Sequence, residues 1–105
     1  MSENLEERFA KDPAAYLRET GHSHVRQLPD GRWIGLHAQM FTTALMVGLN
    51  AYGYEWRCCF EELQTAVDAI EAWDGKGWPP GYWIKAKGLP GGDVRRTDAT
   101  PENAP

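Results

Sequence analysis

The sequence predicts an α+β domain: an antiparallel β-meander of three to four strands packed against one amphipathic helix, with a short N-terminal helical segment ahead of them. Three observations lead there. Residues 24–60 alternate apolar and polar side chains between turn signals, residues 60–73 change to apolar spacings of three and four, and Asp12-Pro13 marks a helix start near the N-terminus. A chain of 105 residues has room for one hydrophobic core, large enough to stand without metals or disulfides.

The N-terminal helical segment rests on local chemistry. Asp12 is a good N-cap, Pro13 suits the first helical position, Ala14 to Arg18 continue the turn and Gly21 stops it. Leu5 and Phe9, four apart, predict another short helical turn upstream, which Pro13 keeps from running on as a single rod. Residues 1–21 therefore read as an N-terminal helical arm.

Pro29-Asp30-Gly31 between residues 25–28 and 32–36 is a hairpin turn, because Pro presets one backbone angle and Gly tolerates a positive φ. A third strand over residues 41–49 places Phe41, Thr43, Leu45, Val47 and Leu49 on one face. After the turn Asn50-Ala51-Tyr52-Gly53, a fourth strand over residues 54–60 aligns Tyr54, Trp56, Cys58 and Phe60. Short consecutive turns imply antiparallel neighbours. Phe60, Leu63, Ala66, Val67, Ile70 and Trp73 then form one helical stripe, with Glu61 and Glu62 suited to its N-terminal dipole and Asp74-Gly75 ending it. The segment from Gly77 to Lys85 holds two prolines and three aromatic rings, which predicts an extended stretch packed back on the domain. Residues 22–88 thus make a single α+β domain. Residues 89–105, with little to bury, read as a disordered C-terminal tail.

Charge narrows the function classes. Lys and Arg number 11 against 15 Asp and Glu, for a net of −4, and none of the three segments is basic. Affinity for nucleic-acid backbones grows with the number of phosphate-contacting cations, so general DNA binding has no support in this balance. The start, MSENLEERF, lacks the basic and apolar regions of a secretion signal, and the apolar run 44–49 is too short for a bilayer and broken by Gly48. The expected location is the cytoplasm, with no membrane partner and with Cys58 and Cys59 as reduced thiols. Being adjacent in a strand, these two point to opposite faces.

No catalytic residue, metal ligand or cofactor emerges. His22, His24, His37 and the vicinal cysteines lack the paired register that structural zinc uses. Cys58 or Cys59 with His37 would be a nucleophile and base, but Glu61 and Glu62 oppose formation of a thiolate beside them. Gly75-Lys76-Gly77 lacks the preceding strand and following helix of a phosphate loop. What stands out is five tryptophans in so short a chain. Trp56 and Trp73 fall on the core stripes. Trp33, Trp78, Tyr82 and Trp83, with Lys85 and Lys87, are the candidate partner-binding residues, since Trp and Tyr are frequent interface anchors.

The run from Gly31-Arg32-Trp33 through Tyr54-Glu55-Trp56-Arg57-Cys58-Cys59-Phe60-Glu61 to Ala72-Trp73-Asp74-Gly75 and Pro79-Pro80-Gly81-Tyr82-Trp83-Ile84-Lys85 resembles small uncharacterised proteins of temperate phages and prophages of proteobacteria. The likeness spans about residues 25–88 and implies a phage accessory role without lending catalytic residues. Two functions follow as expectations. The first is a non-enzymatic protein-binding accessory module that acts on a host or phage protein, for example as an inhibitor. The alternative is a nucleic-acid module with an aromatic sheet face, in which Trp33, Tyr54 and Trp56 stack on bases while Arg32, Arg57, Lys85 and Lys87 meet phosphates. An uncovered sheet face opposite the helix would also invite a homodimer.

Overall fold

A computed structural model describes residues 4–105. Two short helices open it, α1 (Leu5–Lys11) and α2 (Pro13–Glu19). Each starts where a side chain satisfies an otherwise orphaned N–H: Asn4 Oδ1 accepts from Glu7 N at 2.8 Å, and Asp12 Oδ1 accepts from Ala15 N at 3.2 Å. Pro13 at the head of α2 separates the two, as its missing N–H requires. The beginning of the expected arm, residues 1–3, lies outside the described residues.

Strands β1 (Ser23–Gln27), β2 (Trp33–Ala38), β3 (Thr43–Val47), β4 (Trp56–Phe60), β5 (Trp83–Lys87) and β6 (Val94–Arg95) form one sheet in sequence order, every neighbouring pair antiparallel. Helix α3 (Leu63–Ala72) intervenes between β4 and β5. The α+β class and the antiparallel meander agree with the sequence pattern. The strand count is six instead of three or four, because the aromatic segment after α3 pairs with β4 and the tail adds a two-residue strand to β5.

The inner face of the sheet carries Ile34, Leu36, Leu45, Val47, Trp56, Cys58, Phe60, Trp83 and Ala86, all buried against Ala66, Ala69, Ile70 and Trp73 of the α3 region. Trp73 meets Trp56 edge to face with centroids 5.9 Å apart. Arg26 reaches from β1 to the end of α3, where its Nη1 donates to the carbonyl oxygens of Ile70 at 3.0 Å and Trp73 at 2.8 Å. These are the carbonyls a helix C-terminus leaves unpaired.

Three expectations need correction. Residues 5–19 are not an arm: Tyr16 and Leu17 are buried against Ala44, Met46 and Leu49, so α1 and α2 form a second layer on the outer face over β2 and β3. The Tyr16 hydroxyl donates to the carbonyl of Ala51 at 2.6 Å and ties that layer down. Residues 89–105 are not a disordered tail: Val94 and Ala99 pack on the core, the Trp78 indole N–H donates to Thr100 O at 2.9 Å, and Arg96 lies 5.5 Å from the Trp83 ring. The rings of Trp78 and Trp83 need cover, and two small side chains and a guanidinium supply it. Phe41 does not extend the third strand. That strand begins at Thr43, and Phe41 stands exposed in the β2–β3 turn.

Candidate functional site

The outer face of the sheet divides into two halves, and the register shows where. One row of outward side chains runs Gly35, Met46, Arg57, Lys87 across β2 to β5. The next runs His37, Ala44, Cys59, Lys85, Arg95 across β2 to β6. Apart from His37, the β2–β3 half is small or apolar, and it lies under α1 and α2. The β4–β6 half is left open, and its outward side chains are Arg57, Cys59, Lys85, Lys87 and Arg95.

Neighbouring strands sit about 4.8 Å apart and alternate residues about 6.7 Å apart, so these four cations share a small area. Arg57 is directly opposite Lys87, and Lys85 is directly opposite Arg95. No carboxylate among the described residues pairs with any of the four, whereas Arg8 pairs with Glu19 and Arg32 with Asp30. Glu55, two residues before Arg57, folds over Gly48 instead. Like charges placed opposite each other in a ladder cost roughly 0.2–1 kcal/mol per pair.

Arg57 is the most constrained of the four. Burial works against its charge, but hydrogen bonding to Cys59 and the neighbouring Tyr54 outweigh it, and its pKa is raised. Its guanidinium donates to the Tyr54 hydroxyl and lies 5.7 Å from that ring. Its Nε is buried and has no hydrogen-bond partner among the described residues, so one donor of the site is unsatisfied.

Apolar side chains border the cations. Gln39 N donates to Thr42 O at 2.8 Å and closes the β2–β3 turn, which lifts Met40 and Phe41 out of the core at 87% and 84% exposure. With Ile84, 41% exposed, they and Arg57, Cys59, Lys85 and Lys87 line a shallow depression of about 330 Å³.

The expected partner-binding residues are scattered by the fold. Lys85 and Lys87 are in this site. Trp83 is not available to a partner: it is 1% exposed on the inner face. Trp78 is half-buried, packed against Trp83 with centroids 4.9 Å apart and edge to face with Trp56 at 6.2 Å. Trp33 is half-buried beside the α1–α2 layer. Tyr82 is exposed at 76% but is covered on one side by Arg96 at 6.0 Å and does not line the depression. The stacking platform of Trp33, Tyr54 and Trp56 does not form, because Trp33 points outward under the helices while Trp56 is buried inward. Arg32 is held by Asp30 at 2.7 Å and by Gly75 O at 2.8 Å, on the far side of the sheet from the cations.

Sequence reasoning missed Met40, Phe41, Ile84 and Arg95. Phe41 shares the parity of Thr43, Leu45 and Val47, and Gln39-Met40-Phe41-Thr42 has no Gly or Pro to announce a turn. The same rows bear on chemistry. His37 and Cys59 are separated by Ala44, two strand spacings or about 10 Å, too far for a thiol and imidazole to share a proton. Cys58 is buried inward, where desolvation and then the neighbouring Cys59 push its thiol pKa up. His22 and His37 rings approach to 5.3 Å, but no group of three or more His, Cys, Asp or Glu suited to a metal occurs among the described residues.

No family model, curated protein or solved structure matches the chain. Among the described residues no helix is long and apolar enough to cross a membrane.

Proposed function

We propose that the chain is a non-enzymatic accessory module that binds another protein through the open β4–β6 half of its outer sheet face. The observation that carries this is the pairing of Met40 and Phe41, both almost fully exposed, with a cationic strip that has no counter-ions among the described residues. Large apolar side chains kept in water beside unneutralised charge are costly to maintain, and a partner that covers both removes the cost. In the phage accessory setting that the sequence resemblance implies, the partner is a host or phage protein, and occupying its surface is a means of inhibiting it.

The test compares captured proteins from a host lysate using the whole chain and two variants. Met40→Asp with Phe41→Asp changes the proposed surface, while Leu63→Asp changes an exposed apolar side chain on α3, away from the depression. The expected result is a protein retained by the native chain and by the Leu63 variant and lost by the Met40/Phe41 variant. Equal retention by all three would remove this face from consideration.

A further inference from the structure

We infer that the open half-face takes an extended protein segment whose acidic side chains reach Arg57, Lys85, Lys87 and Arg95 while its apolar side chains reach Met40 and Phe41. This rests on the binding reading above and adds the chemistry of the partner.

Charge complementarity selects the occupant. The four cations leave seven Lys and Arg against 15 Asp and Glu in the rest of the chain, so the strip is a local excess of positive charge on an otherwise acidic chain. Screening lengths near 8 Å at physiological salt keep the strip distinct from the acidic remainder. A long polyanion gains nothing from the acidic remainder of the chain, whereas a short acidic segment needs only the strip. A second copy of the chain docked face to face about a twofold axis would bring the strip near itself, setting cations against cations. Geometry selects an extended form. Lys85 and Lys87 repeat at the two-residue period of a strand, and a ligand strand presents side chains to one face at the same period. Arg57 ends the strip on β4, directly opposite Lys87, where its guanidinium adds a cationic donor beside the lysine.

The experiment measures fluorescence anisotropy of labelled probes against the full chain at low and physiological salt. The probes are a short synthetic peptide alternating Glu with Leu and Phe, the same peptide with Gln for Glu, the same with Lys for Glu, and single-stranded oligothymidylate of matched length. The Glu peptide is expected to bind, to weaken as salt rises, and to exceed the Gln peptide by roughly tenfold, the sum of several modest surface pairs. A Lys85→Glu/Lys87→Glu variant is expected to lose the Glu peptide and gain the Lys peptide, which also shows that it is folded. Lys85→Gln/Lys87→Gln should fall between. Equal binding of Glu and Gln peptides would overturn the acidic partner and leave the protein-binding reading intact. Tighter binding of oligothymidylate than of the Glu peptide, or a homodimer that the Lys85/Lys87 variants dissociate, would overturn it in favour of nucleic acid or self-association. No binding by any peptide, together with equal lysate capture by the Met40/Phe41 variant, would overturn both readings.

Discussion

Arg57 on β4 stands directly across the ladder from Lys87 on β5, and neither has a carboxylate partner among the described residues. Lys87→Glu converts a repulsive rung into an attractive one. It should stabilise the fold by about 0.3–1 kcal/mol while weakening binding of an acidic partner. Urea unfolding and the anisotropy assay on the same variant check both halves, and a variant that is less stable and binds equally well would contradict the role given to this rung.

Arg26 caps α3 from a neighbouring strand through two carbonyls. Arg26→Ala leaves those partly buried oxygens unpaired and should cost about 1–3 kcal/mol, read as a lower urea midpoint at unchanged m-value.

Trp83 and Tyr82 are adjacent yet face opposite fates. Trp83→Ala empties a fully buried site between sheet and helix and should cost roughly 3–5 kcal/mol, whereas Tyr82→Ala should stay within about 0.5 kcal/mol. Thermal unfolding of the pair checks it; comparable losses would mean that Tyr82 is held more firmly than its exposure implies.

The His22 ring lies tilted against His37, 5.3 Å between centroids, and sits beside the Leu17 carbonyl at the end of α2. Burial, opposed by the Leu17 hydrogen bond and reinforced by His37, lowers its pKa below the ordinary 6.5. A folded-state pKa below the unfolded one means that the unfolded chain takes the proton more readily. The contribution is therefore fully present above about pH 6.5 and is lost as pH falls from there through the lower folded value. Urea midpoints measured across that window should decline toward acid in the native chain and decline less in His22→Gln.

Gly88 follows β5 at φ +92°, and a Cβ there would lie 3.0 Å from the Glu55 carbonyl oxygen and 3.1 Å from Trp56 Cα. Both are backbone atoms that cannot turn aside. Gly88→Ala should destabilise by about 1–3 kcal/mol in urea unfolding, more than Gly53→Ala, where nothing lies within 4 Å and φ is not positive.

Much of the architecture was legible because it follows from local order. Pro29-Asp30-Gly31 makes its hairpin, the stripe from Ala66 to Trp73 makes its helix, and Trp56 and Trp73 meet in the core as their periods require. The outer layer was harder to read. Tyr16 and Leu17 form part of a helical pattern too short to show which surface it covers, and Val94 and Ala99 are too few to mark an ordered tail.

The amino-acid order by itself determined the α+β class, the antiparallel succession of the first strands and the main helix, since alternation, helical spacing and turn residues act over a few neighbours. Only the tertiary structure decided the site. Arg57, Lys85, Lys87 and Arg95 come from three strands and are spread over 39 positions of the linear chain. Strand register brings them onto one face while α1 and α2 cover the other half, and register depends on pairing across dozens of residues that no local pattern records.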